Sequence, residues 1–499
     1  MLSPCLKQGS FIILTVLVAL LVETRVAVAQ VKNPELEALK KEIEELRRSD
    51  AEKQRKLDEL QRRIQAMESQ SSAQEKPAVP ESALDKALKE IESPSPPPLS
   101  TDLLSRQIGG TTFRLIDVSL DALFAAGTST ERDESLQRLQ GGDHDPRKRG
   151  FTVQQAELSF TGAVDPYFTG ETHLLFLIDP ALGDTRVELE EAILTTQALP
   201  YGLQLKGGFY LTEFGLINPT HPHAWDWLDQ PVINTRLFGP DGLRQAGLRL
   251  GWLTPLPWFS ELYVGVQNAD GETASSFLAN EEFFGRRPIG GRPFVKRDVR
   301  SLKDLLYFAR WENFWNLSDE VGAKLGISGV FGPNASGPDG DTRIYGADLK
   351  VRWRPTNNFR GWPFVLWQSE IMQRDYTADR LFDDSDPGNA IDLPRETLRD
   401  WGLYTQALYG FSYGWAAGLR YEYASGSEAS VLTFNGRDGD PFRDDRHRIS
   451  PLLVWHPSEF SRLRLQYNYD RAEHLEHKDG HSVWLGVEFL YGAHPAHKY

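Results

Sequence analysis

Basic side chains recur at every second position in two stretches of this 499-residue chain. In DLKVRWRP, Lys350, Arg352 and Arg354 alternate with Leu349, Val351 and Trp353; in RLRLQYNY, Arg462 and Arg464 alternate with Leu463 and Leu465. On an extended strand alternate residues share a face, so each stretch presents cations on one side and apolar groups on the other. Ladders of Arg and Lys along a water-filled passage select anions. Arg249 and Arg310, with Lys206, Lys324 and Arg420, fall on the polar side of other alternating segments and extend the candidate pore lining. Asp117, Asp121, Glu157, Glu171, Glu188, Glu190, Glu370, Glu422 and Glu488 fall on the same side, so a wall of paired charges is the competing reading.

Histidines offer a second chemistry. His221 and His223, with Asp226 and Asp229 nearby, are candidate zinc ligands, since imidazole and carboxylate suit that metal. His474, His477 and His481 form another group, and His494 and His497 a third. For each group a solvated loop is the plainer expectation. No G-x-S-x-G, H-E-x-x-H or phosphate-loop pattern occurs, so the expectation is a protein that is not an enzyme and uses no cofactor.

The elements that would position these side chains are strands. In FTVQQAELSF, Ala156, Leu158 and Phe160 point one way while Gln155, Glu157 and Ser159 point the other. The turn AVDPYFTG follows, then a strand with Thr172, Leu174, Phe176 and Ile178 on one face and Glu171 and His173 on the other. About sixteen such segments follow one another from 112–126 to 481–491, among them 202–214, 342–354 and 461–471. Their connections alternate between short turns, such as 163–169 and 411–414, and mostly long loops, such as 127–149, 215–242 and 269–303. Aromatic residues cluster near the short turns, among them Trp258, Trp315, Trp362, Trp415 and Trp455. The pattern predicts an all-β transmembrane barrel of about sixteen antiparallel strands over 111–499, apolar toward lipid and polar within.

Ahead of the barrel, Lys7, the apolar run Phe11 to Val22 and the small-x-small site at Ala27-Val28-Ala29 read as a signal peptide over 1–29. Over 30–68, Leu36, Leu39, Ile43, Leu46, Leu57, Leu60, Ile64 and Met67 keep an a/d register, interrupted by Asp50 and Lys53. That spacing predicts an α-helical coiled coil. A Pro/Ser-rich linker, 69–110, separates coil from barrel. Cys5 is the chain's one cysteine and lies in the signal, which leaves the rest without disulfides or thiolate ligands. A net charge of −15 argues against a nucleic-acid partner.

Signal, coil, linker, about sixteen strands and an aromatic last residue together resemble bacterial outer-membrane porins, in particular the phosphate-selective porin O and P family. FTVQQAELSFTGAVDPYF is the stretch with close parallels there. The resemblance implies a water-filled diffusion channel for small solutes, anions such as phosphate among them, in outer-membrane lipid, with a trimeric homo-oligomer and the coil in the periplasm. It also implies that a long early loop, here 213–242, folds inward; a cap over the mouth is the alternative. The ending GAHPAHKY resembles small barrels labelled zinc-regulated outer-membrane receptors, which implies a receptor-type metal importer as an alternative, although no plug segment is evident. A third reading makes the barrel an anchor and the coil a tether to the cell wall.

Overall fold

The structure, a computed structural model, describes residues 105–108, 111–114 and 116–492, except 180–182, 287–288, 386–390 and 428–440. The expected signal peptide, the coiled coil, most of the linker, and His494 and His497 lie outside the described residues.

Sixteen antiparallel strands close into one barrel. They are β1 (Asp117–Ser129), β2 (Gly150–Ala163), β3 (Phe168–Ile178), β4 (Thr185–Thr196), β5 (Leu203–Leu211), β6 (Arg244–Leu253), β7 (Phe259–Asn268) and β8 (Leu305–Asn316). The second half comprises β9 (Val321–Pro333), β10 (Asp341–Trp353), β11 (Phe364–Ala378), β12 (Glu396–Ser412), β13 (Trp415–Gly426), β14 (Arg446–Ser458), β15 (Ser461–Ala472) and β16 (Asp479–Gly492). Each strand pairs with the next in sequence, and β16 closes on β1 with Val487 opposite Phe124. Closure leaves no strand edge unpaired, as a membrane-spanning sheet requires.

The period-2 pattern sets the faces. On β16, Val483, Leu485, Val487 and Phe489 are exposed on the outside, while Ser482, Trp484 and Glu488 are buried within. Aromatics ring the short-turn end: Trp415 stacks on Trp455 at 5.6 Å, Trp258 meets Trp315 at 6.3 Å, and Phe359 meets Tyr413 at 5.4 Å. Trp362 does not join this ring. It turns inward and is buried with Phe364 and Trp227.

Two boundaries differ from the sequence reading. The expected segment 112–126 merges two things: Thr111–Arg114 pairs with Ser105–Ile108 in a small separate hairpin, and the barrel strand starts at Asp117. The expected strand 202–214 stops at Leu211, because the chain leaves the wall at Thr212 and enters the lumen.

Bulges on β2 and β4 break the alternation. On β2 the register slips between Leu123 and Phe124 of its partner, so that Gln154 and Gln155 are both buried inside. On β4 it slips opposite His173 and Leu174, and Glu190 and Glu191 both turn inward. An extra residue in one strand re-aims its neighbours in this way.

Candidate functional site

The residues 212–243 leave β5, run through the barrel interior and return to β6. A polar knot closes the neck of this inner loop. Thr212 N–H donates to Leu243 O (2.9 Å), and Asn218 Nδ2 donates to Thr212 O (2.8 Å). Leu243 N–H donates in turn to Asn218 Oδ1 (2.8 Å). Inside, the loop's donors find acceptors on the wall. Gly215 N–H donates to Ser328 Oγ on β9 (3.2 Å) and Ile217 N–H to Glu370 Oε1 on β11 (2.9 Å). Leu228 N–H donates to Gln466 Oε1 on β15 (2.8 Å), and Trp227 Nε1–H to Ser450 O on β14 (2.9 Å). Buried backbone donors without water need such partners, and the inward polar side chains of the strands supply them.

Apolar side chains fill the space between. Phe214, Ile217, Trp225, Val232, Ile233, Leu237 and Phe238 pack with Phe308, Val330, Ile344, Met372 and Tyr404 of the wall, and with Phe277 and Leu278 from the connection 269–304. Wall glycines make room for two anchors. A Cβ on Gly418 would lie 2.9 Å from the Trp227 ring, and one on Gly486 would overlap Leu228. Each buried anchor of this size contributes about 1.5–3 kcal/mol. The inward-folding loop expected at 213–242 is therefore inside the barrel, not a cap across its mouth.

Asp229 is the loop's charged anchor. It ion-pairs with Arg420, lies 3.0 Å from Arg448 Nη1, and accepts from Gln466 Nε2 (2.9 Å) and Asn468 Nδ2 (3.0 Å). Burial works against its charge, but the two guanidiniums win and lower its pKa to about 2. Asp145, in the connection 130–149, accepts from Gly142 N–H (2.8 Å) and Gln230 N–H (2.9 Å). Burial first, and the neighbouring Asp229 carboxylate second, push its pKa up to about 7.

On the turn side of the loop lies a polar cavity of about 610 Å³, with Glu171, His173, His221, Lys206, Lys324 and Lys350 among its lining. The expected pore-lining residues separate into two sets. Arg249 pairs with Glu213 (2.9 Å) and Arg310 with Asp348 (2.6 Å), at the cavity wall. Arg462 pairs with Glu488 (2.6 Å) and donates to His223 O (2.9 Å); Arg464 pairs with the same carboxylate and donates to Trp225 O (3.0 Å). Both face inward but are buried under the inner loop. Lys350, Arg352 and Arg354 follow β10 toward the turn end, and Arg352 is exposed to the lumen. Among the described residues none of these three has a carboxylate partner within ion-pair distance.

His221 and His223 meet partners other than Asp226 and Asp229. His221 Nδ1 lies 2.9 Å from Glu190 Oε2 and 3.3 Å from Glu157 Oε2, and its Nε2 lies 2.8 Å from Glu191 Oε2. His223 Nδ1 lies 3.2 Å from Glu157 Oε2. His173, from β3, brings its Nδ1 to 2.8 Å from Glu157 Oε1. Burial opposes charge on His221, but Glu190 and Glu157 override it and hold the imidazole well above its usual range. Asp229 is absent from this cluster because the arginines claim it. Glu191 carries a share that strict alternation hides, since only the bulge on β4 turns it inward. The second histidine group does not assemble: His474 faces Asp444 at 3.5 Å, His477 is exposed, and His481 bonds Tyr467 on the outer surface.

No protein-family model matches the chain. Among solved structures, it is similar to an anion-selective porin from Comamonas acidovorans (9% identity, TM-score 0.44, covering 75% of this chain and 99% of that one). It is similar also to the outer membrane channel DcaP of Acinetobacter baumannii (10%, TM-score 0.45, 75% and 97%) and to OprB of Pseudomonas putida (9%, TM-score 0.45, 75% and 94%). A protein of Aquifex aeolicus (strain VF5), described as an uncharacterized protein, is 30% identical over 416 residues, 77% of this chain and 80% of its own length. At that identity and coverage, the chain belongs to one family with the Aquifex aeolicus protein.

Proposed function

We propose that this chain is an outer-membrane channel through which small solutes diffuse, with the inner loop 212–243 as its constriction. The observation that carries the reading is the closed sixteen-strand barrel with its apolar exterior, polar interior and a long loop threaded through the lumen. A barrel of this size encloses an aqueous channel when empty, so a loop held inside narrows it. Reconstitution of refolded protein into planar bilayers tests the reading: discrete conductance steps are expected, and folded protein that leaves the bilayer sealed would overturn it.

The preference we propose is for anions, phosphate among the candidates. Its support is the run of Lys350, Arg352 and Arg354 at the turn end, left uncompensated where other inward arginines are paired. The resemblance further leads us to propose a homotrimer embedded in lipid, with the N-terminal coil on the periplasmic side, where it would reach the cell wall. Cross-linking of the detergent-solubilised protein reads the first, and deletion of the coil with assays of envelope adhesion and permeability reads the second.

A further inference from the structure

We infer that a divalent transition-metal ion of the zinc class binds in the lumen between His221 of the inner loop and His173 and Glu157 of the wall, pinning loop to barrel. Three imidazole Nδ1 atoms, from His173, His221 and His223, converge on the single buried carboxylate of Glu157 at 2.8, 3.3 and 3.2 Å. The rings crowd as well, with His173 and His221 centroids 4.5 Å apart and His221 and His223 5.6 Å apart. Donor atoms of Glu157, His173 and His221 lie within 4.8 Å of one another. A tetrahedral zinc ion with bonds of about 2.0–2.1 Å holds its ligand atoms roughly 3.4 Å apart, so small shifts of the side chains suffice.

The surroundings match what such an ion requires. The His221 nitrogen turned away from the site is held by carboxylate, with Nε2 2.8 Å from Glu191 Oε2. Carboxylate behind a ligating imidazole fixes the ring and raises its basicity. Glu190 stands beside His221 Nδ1 as a further oxygen donor. Asp121, next to the cluster, is buried with its Oδ1 lacking any hydrogen-bond partner. Carboxylates outnumber imidazoles here, with Arg244 3.8 Å from Glu190, and clustered carboxylates favour a cation between them. Two imidazoles and a carboxylate select zinc, nickel, cobalt or copper over magnesium or calcium. His173 and His221 also line the polar cavity, so an ion in the lumen reaches them.

The test is calorimetric titration of Zn²⁺ into the full-length barrel in detergent, with X-ray absorption at the zinc edge. One ion per chain in a nitrogen/oxygen shell showing histidine scattering is expected. His221→Ala and His173→Ala should abolish this binding, and Glu191→Gln should weaken it ~10–100-fold by freeing the His221 ring. His474→Ala, at a distant loop, should bind as the parent does. Glu157→Gln keeps the side chain's shape while removing its charge, and folding of every variant is checked by heat-modifiable migration. Zinc binding unchanged in folded His221→Ala and His173→Ala, or no binding by the parent, would overturn the inference. Binding is read without any conductance, so its outcome is separate from that of the channel reading.

Discussion

Single charged residues decide whether the inner loop stays docked. Asp229 is fully buried between Arg420 and Arg448, which keep Glu422 and Asp470 as further partners, so neutralising it cuts the loop's charged link to both guanidiniums without leaving either unpaired. Each hydrogen bond lost to a charged partner costs about 1.5–3 kcal/mol. Asp229→Asn should therefore release the loop while the barrel stays closed, seen as new proteolytic cleavage within 212–243 and unchanged heat-modifiable migration. The pH dependence carried by Asp229 of the loop and by Asp145, which accepts from the loop's Gln230 N–H, has opposite signs. Asp229 has a depressed pKa, about 2, so its contribution is complete above the ordinary carboxylate pKa of ~3.9 and is lost as pH falls toward 2. Asp145 has a raised pKa, about 7, so docking binds a proton and its contribution declines as pH climbs from ~3.9 through 7. Protection of the loop from protease should thus peak near pH 4. Asp145→Asn should flatten the decline between about 4 and 7 and leave the acid limb in place; an unaltered profile would remove Asp145 from this account.

Strands were legible in the sequence, and the way the loop sits among them was less so. Alternation between Leu349 and Trp353, or between Val483 and Phe489, marks a wall because lipid and lumen meet neighbouring side chains. Long and short connections located the loop 213–242, yet no periodicity reveals that Trp227 and Leu228 seat over Gly418 and Gly486. Those contacts join residues far apart in sequence, and a glycine on a strand has several explanations. Bulges were equally hidden: one extra residue at Gln154 or Glu190 flips the faces that follow, and pairing rather than composition sets its place. This is why Glu191 escaped a strict count of inward residues. The sockets predict a test on the wall itself. Gly486→Val would push Leu228 from its seat, and Gly418→Leu would displace the Trp227 ring. Either should raise open-channel conductance by loosening the loop, with the strand register intact by circular dichroism. Gly285→Ala, where an added Cβ meets nothing within 4 Å and the backbone is not left-handed, is the matched control.

Across the whole molecule, opposite faces of one strand should answer to different solvents. Leu419 on β13 is exposed on the outer face, and its neighbour Arg420 is buried within. If the outer face meets hydrocarbon, Leu419→Arg should cost about 2–4 kcal/mol in a bilayer, with far less cost for Leu419→Ala. Removing Lys350 and Arg352, inward cations of β10, should leave stability alone and change what passes. Lys350 and Arg352 sit on a partly open face of the lumen and carry no ion pair among the described residues, so their removal strands no buried carboxylate. Lys350→Ala with Arg352→Ala should therefore move the reversal potential in a salt gradient toward cations while unfolding in denaturant stays as in the parent. Arg462→Ala is the informative contrast. That side chain faces inward too, but it is buried and shares Glu488 with Arg464. Its loss should destabilise the packed interior, and any change in selectivity should come through the loop it supports. A reversal potential unmoved by the double substitution would take Lys350 and Arg352 out of the filter, whatever the barrel's conductance.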